Sequence, residues 1–114
     1  MTSLACLALI VYHEARSMPV QAQKLVAQVA ITRAYKEKQS VCKSLNVKKS
    51  YSFMWSGRSK SMKEVKAKTI AYKVARKTLN TKTNHSFSFF NECTLGKRFK
   101  TKNRMVRVKK LCFY

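Results

Sequence analysis

Leu4-Ala5-Cys6-Leu7-Ala8-Leu9-Ile10-Val11-Tyr12, running into His13-Glu14-Ala15-Arg16, is the stretch that decides how this chain folds. A helix that is apolar nearly all round must be buried on nearly all sides. The run therefore predicts a central helix from about Ser3 to Glu14 or just past it, with Thr2 or Ser3 as its N-cap. It has about half of the ~20 residues that a membrane span requires. It also lacks the basic leading segment and the small-residue cleavage site of a secretory signal. The expectation is synthesis in a cytoplasm, with any action beyond the membrane depending on release by another agent.

The same stretch ends on a carboxylate. The chain has four acids, Glu14, Glu37, Glu64 and Glu92, and no aspartate. Glu14 differs from the others in ending an apolar run. A carboxyl group on a core helix is partly desolvated, which raises its pKa and can leave it protonated near neutrality, as a general acid needs. The competing reading is a helix-terminal glutamate in an ion pair, with Arg16 or a lysine as partner. Arg16 and Arg33 read as pairing in the neighbourhood of Glu14 or as packing residues, and Arg16 could also hold Glu14 ionised and so weaken an acid role.

Outward from this helix, Ser17-Met18-Pro19 breaks the pattern, because proline restricts the residue before it and resists helix continuation. A second helix is expected from Pro19 or Val20. Ala22, Leu25, Val26, Val29, Ala30 and Arg33 recur along one face, which fades into Lys36-Glu37-Lys38-Gln39-Ser40. The short connection predicts an αα-hairpin. Val41-Cys42 and Ser50 to Trp55 have strand-type composition, with a turn at Ser56-Gly57. A third helix is expected from about Ser61 to Leu79, with Ala67, Ile70, Ala71, Val74 and Ala75 inward. Ser86-Phe87-Ser88-Phe89 alternates as a half-buried strand does. Leu95-Gly96 and the basic 97–104 segment read as a turn. Met105 to Val108 and Leu111 to Tyr114 read as a closing hairpin. The fold class expected is α+β, about three main helices with a small antiparallel sheet, in one domain over 1–114.

With 46% apolar residues the chain should fold, and 114 residues can bury a modest core without a metal or partner. Its 25 lysines and arginines against four acids give a net charge of +21. Such a protein seeks a polyanion: nucleic acid, an anionic membrane surface or an acidic envelope polymer. Cys6, Cys42, Cys93 and Cys112 are widely spaced, with no pair set for zinc or thiol redox chemistry. Two disulfides are arithmetically possible, but Cys6, on an apolar helical face, reads as a buried thiol.

Several chemistries are excluded by composition. Phosphate-cradling loops need clustered glycines, and only Gly57 and Gly96 are present. A catalytic zinc needs about three protein ligands, whereas the histidines are His13 and His85 alone, and His13-Glu14 lacks the second histidine of a zincin helix. No metal and no cofactor is expected. Cys93 with His85 carries no nucleophile signature, and the nucleophile elbow of serine hydrolases is absent. Glycan cleavage normally uses two carboxylates. Glu37 and Glu64 sit among lysines, so Glu92 is the credible second one. Otherwise Glu14 works alone and the substrate supplies its own nucleophile.

Val11-Tyr12-His13-Glu14-Ala15-Arg16, Gln23, and Val26-Ala27-Gln28-Val29-Ala30-Ile31-Thr32-Arg33 resemble the opening of the SleB-type cell wall hydrolases, which include spore-cortex-lytic enzymes and small phage endolysins. Ser50-Tyr51-Ser52-Phe53 resembles the family's Gln-Phe-Ser-Phe segment. Asn84-His85 through Phe89-Phe90-Asn91 resembles its Thr-His-aromatic-aromatic-Asn stretch, and Cys112-Phe113-Tyr114 its terminal His-x-Phe-Tyr. Ser17, Met18, Thr32 and Ser50 depart from the pattern, as does Val108-Lys109-Lys110-Leu111. The resemblance implies a lysozyme-like α+β domain that cleaves peptidoglycan glycan strands as a lytic transglycosylase, with Glu14 first as acid and then as base. It implies a substrate-binding set of Gln23, Tyr51, Ser52, Phe53, His85, Phe89 and Tyr114. It also implies a monomeric endolysin released through a holin-type pore, its basic surface drawn to anionic envelope polymers. Nucleic acid is then no obligate partner. A muramidase using Glu92 or a water, and a basic nucleic-acid-binding protein, stay open as alternatives.

Overall fold

The computed structural model describes residues 1–47, 51–54, 56, 60–83, 85, 87–93 and 106–114. The apolar run forms α1, Ser3–Ala15, and its residues from Cys6 to Tyr12 are all buried. Thr2 is its N-cap, the hydroxyl accepting from the Ala5 N–H at 3.1 Å. α1 packs against α2 (Val20–Lys36), α3 (Val41–Leu45) and α4 (Val65–Leu79), so it is the central element of the helical part. Pro19, at φ −56°, precedes the first residue of α2. The α1–α2 turn is tied by the Met18 N–H to the Ala15 carbonyl at 3.0 Å.

Two segments of strand-type composition are not strands. Val41-Cys42 opens α3, whose N-cap Ser40 accepts from the Lys43 N–H at 3.1 Å. Val41, Ser44 and Leu45 are buried there. The cap and the burial outweigh the weak β-preference of two residues. Ser52–Met54 is a single 3₁₀ turn, with Met54 N–H bonded to the Tyr51 carbonyl at 3.1 Å. Ser50, Trp55 and Gly57 lie outside the described residues.

α4 begins four residues later than its periodicity suggests. The Glu64 N–H donates to the Tyr12 hydroxyl at 3.0 Å, and Glu64 is held extended at φ −81°, ψ 105°. A long-range bond to α1 thus fixes where the helix starts. Ala71, Val74, Ala75 and Thr78 form its buried face, and Ala67 packs against the core. Ile70, expected inward, is 40% exposed at the margin of that face.

The sheet has the order β1-β3-β2, all antiparallel. β1 (Phe90–Glu92) pairs Asn91 with Cys112 of β3 (Leu111–Phe113), and β2 (Val106–Val108) pairs Arg107 with the same residue. The closing hairpin is therefore as expected. The alternating Phe87-Ser88-Phe89 stretch precedes the regular ladder, because the Ser88 and Phe89 N–H groups converge on the single Tyr114 carbonyl at 2.8 and 3.2 Å. Asn84, Ser86 and residues 94–105 lie outside the described residues. The three main helices and the three-stranded sheet make an α+β fold. No helix among the described residues is long and apolar enough to cross a membrane.

All four cysteines are paired, Cys6 with Cys42 and Cys93 with Cys112. This corrects the expectation of a free thiol at Cys6. Helical α3 lays Cys42 against the N-terminal end of α1, bringing the Cα atoms to 5.4 Å, within bridging range. Sequence spacing cannot reveal such a contact.

Candidate active site

Glu14 lies in the last turn of α1, half-buried. Among the described residues its carboxyl makes no hydrogen bond and no ion pair. Burial pushes its pKa above the ordinary carboxylate range, and the positive charge of Arg33 opposes that rise. Burial is the larger of the two effects, so the net shift is upward.

Arg16 does not complete an ion pair with Glu14. Its guanidinium turns to Glu64, with Nη1 3.3 Å from Oε1, and the same nitrogen donates to the Tyr12 hydroxyl at 3.2 Å. It also covers the Tyr12 ring at 5.3 Å. The cation coupled to Glu14 is Arg33 of α2, a half-buried residue. Its Nε donates to the Ser88 carbonyl at 3.0 Å, and its guanidinium lies 5.2 to 5.7 Å from the rings of Tyr51, Phe89 and Phe90. Three ring faces and a carbonyl hold one charge in place.

Glu14 opens into a cavity of about 600 Å³. Tyr12 and His13 of α1 and Arg16 just after it line one side with it; Ser52, Phe53 and Ser56 line another; Ser61 and Lys63 close the rim before α4. The His13 ring stacks on Phe53 at 4.6 Å and 18°. Its Nε2 lies 2.8 Å from the Lys60 carbonyl, which requires the proton to be on that nitrogen. His13 thus pins the segment leading to Lys63 against the cleft wall.

Of the residues expected to bind substrate, Ser52 and Phe53 share the cavity with Glu14. Tyr51 lies beneath them, 1% exposed. Burial pushes its phenol pKa up, with Arg33 pulling it back. By distance and angle its hydroxyl makes no hydrogen bond among the described residues, although Arg33 is near enough to bias it. Phe89, 45% exposed, meets the site through Arg33. Three others are placed elsewhere. Gln23 is buried at 3% and its Nε2 donates to the Met18 carbonyl at 3.0 Å, bracing the α1–α2 turn. His85 bonds Thr32 through Nδ1 at 3.0 Å and stacks on Tyr35. Tyr114 is buried and joined to Phe89 by its backbone.

Glu37 accepts from the Ser44 hydroxyl at 2.8 Å and is no part of the cleft, nor is Glu64's carboxylate, which faces Arg16. The Glu92 backbone belongs to β1, and its side chain lies outside what is described. Among the described residues no three metal-ligating side chains converge. Sequence reading missed His13, Ser56, Ser61 and Lys63 as cleft residues. His13 adjoins the acid, but its orientation depends on Phe53 and Lys60, far along the chain. Ser61 and Lys63 are brought in by the bond from Glu64 to Tyr12.

A family model described as Cell Wall Hydrolase matches residues 17–114. The match takes in Arg33, Ser52, Phe53, His85 and Phe89, and begins three residues after Glu14. Comparison with curated proteins and with solved structures gives no match.

Proposed function

The chain belongs to the cell wall hydrolase family, and from that premise we propose that it cleaves the bond between N-acetylmuramic acid and N-acetylglucosamine in peptidoglycan as a lytic transglycosylase. The observation that carries this reading is the Glu14 carboxyl: half-buried, without a hydrogen-bonding partner among the described residues, and set in the wall of a cavity. Desolvation raises the affinity of this carboxyl for the proton that a glycosidic oxygen must receive.

In the first step Glu14 gives its proton to the bridging oxygen, and the bond from the muramic acid C1 to that oxygen breaks. The N-acetylglucosamine side departs as an alcohol, leaving positive charge on the muramic ring. In the second step the Glu14 carboxylate takes the proton of the muramic acid 6-hydroxyl while that oxygen attacks C1. The product is a 1,6-anhydro sugar, and Glu14 is again protonated. Neither a water nor a second carboxylate is consumed, which suits a cleft where Glu14 is the acid among the described lining residues with no partner. The Phe53–His13 stack offers an apolar ring surface beside the acid for a sugar face. The role we assign is lysis of a bacterial wall, as in the small endolysins that the sequence resembles.

A zymogram with Glu14→Gln is the test. Clearing by the native chain and none by the variant is the expected result. No clearing by either, with salt-dependent retention on DNA, would reject the enzyme in favour of a nucleic-acid binder.

A further inference from the structure

Tyr35, near the end of α2, is a large aromatic residue left 69% exposed. One face of its ring is covered by His85, centroids 4.5 Å apart and planes 15° from parallel. A ring stacked on one face and still so exposed has its other face open. His85 itself is built in: Thr32 of α2 holds Nδ1 at 3.0 Å, and its backbone sits at φ 56°, in the left-handed region that glycine favours and that asparagine and histidine enter more readily than most residues. The ring platform is therefore fixed by the fold. Tyr35 also lines an open hollow of about 650 Å³ with Lys38, Gln39, Ser40 and Lys43, which shares no lining residue with the Glu14 cleft. Glu37, two residues after Tyr35, is engaged by Ser44.

An open aromatic face, an amide and a hydroxyl, and two lysines fit a ring that is apolar on one side, hydroxylated at its rim and joined to an acidic substituent. We propose that the Tyr35 hollow is a second, non-catalytic binding site for the peptidoglycan glycan strand, taking a muramic acid residue with the carboxylate-bearing stem peptide that is amide-linked to it. The sugar face stacks on Tyr35, Gln39 and Ser40 meet its hydroxyl or acetamido groups, and Lys38 and Lys43 meet the peptide carboxylates. The site holds the enzyme on the wall between cleavages. This rests on the reading of the chain as a glycan-cleaving enzyme.

The test uses Glu14→Gln protein, so that the wall survives, and sacculi stripped of phosphate-bearing polymers, measuring co-sedimentation. Adding Tyr35→Ala is expected to weaken retention about fivefold, and Tyr35→Phe to leave it unchanged, a loss corresponding to roughly 1 kcal/mol. Lys38→Asn with Lys43→Gln should also weaken it, asparagine being tolerated at the left-handed backbone of Lys38 (φ 53°). Lys24→Gln with Lys77→Gln, which removes the same charge from a different hollow, should have under half that effect. In the Glu14-containing enzyme, Tyr35→Ala should raise KM and leave kcat unchanged. Equal losses from both lysine pairs, or no loss from Tyr35→Ala, would overturn the proposal. So would a Tyr35 effect confined to single-stranded DNA. Persistent lysis by Glu14→Gln would instead strike the catalytic reading, and the retention data would still decide the Tyr35 site.

Discussion

Glu14 is acted on in opposite directions by burial and by Arg33, and its proton affinity is where the two balance. Burial prevails, so the folded state binds the Glu14 proton more tightly than the unfolded chain does. That stabilisation is complete below pH 4.5, the ordinary carboxylate value, and is lost as pH rises through the higher folded pKa. Glu14→Gln, which cannot ionise, should therefore melt at a higher temperature than the native chain at pH 7, the difference closing below pH 4.5. Scanning calorimetry at the two pH values checks this. The same substitution should lower activity by at least about a hundredfold, the usual least contribution of a general acid–base residue. Activity itself should fall as pH rises through the Glu14 pKa. Arg33→Gln removes the opposing charge, so its alkaline limb should lie at higher pH than that of the native enzyme, while Arg33→Lys stays close to it. A pH profile of kcat/KM that moves downward in Arg33→Gln would contradict this coupling.

Among the elements, the contact between α1 and the start of α4 decides whether the cleft has a rim. The Tyr12 hydroxyl accepts from both the Glu64 N–H and Arg16, whereas the Arg16–Glu64 ion pair is about half exposed on each side. A buried hydroxyl that satisfies a backbone donor contributes about 0.5–1.5 kcal/mol net, and an exposed ion pair about 0–1 kcal/mol. Tyr12→Phe should thus destabilise the chain more than Glu64→Gln in urea unfolding. It should also raise KM, because Ser61 and Lys63 lose their tether. These elements were unequally legible beforehand. α1, α2 and the core of α4 carry long periodic patterns, and the β2–β3 hairpin has two apolar strands around a basic turn. α3 could not be read, since five residues are too few for a period to outweigh composition. Ile70 was misplaced because one face of a helix has no sharp edge in sequence. The desolvated carboxyl of Glu14 was legible as the end of the apolar run. Its electrostatic partner was legible only as one of two arginines, Arg16 and Arg33, because the choice between them depends on how α1 and α2 pack.

At the scale of the whole molecule, a chain with net charge +21 must fold against its own repulsion. The two disulfides oppose that. They close segments of 36 and 19 residues in sequence separation, worth about 3–4 kcal/mol each by loop entropy. Because small domains are stable by only about 5–15 kcal/mol, reduction should remove a large share of the total. Thermal melts with and without reductant should show it as a marked drop in midpoint, whereas an unchanged midpoint would mean that the helical core suffices. Cys6–Cys42 anchors the start of the helix that carries Glu14 in its last turn, and Cys93–Cys112 joins the residue after β1 to β3. The most direct test of the catalytic account is the mass of the muropeptides released from peptidoglycan by the native chain. The account predicts 1,6-anhydromuramic acid ends, one water lighter than hydrolysis products. Products carrying that water would contradict it and point to a muramidase.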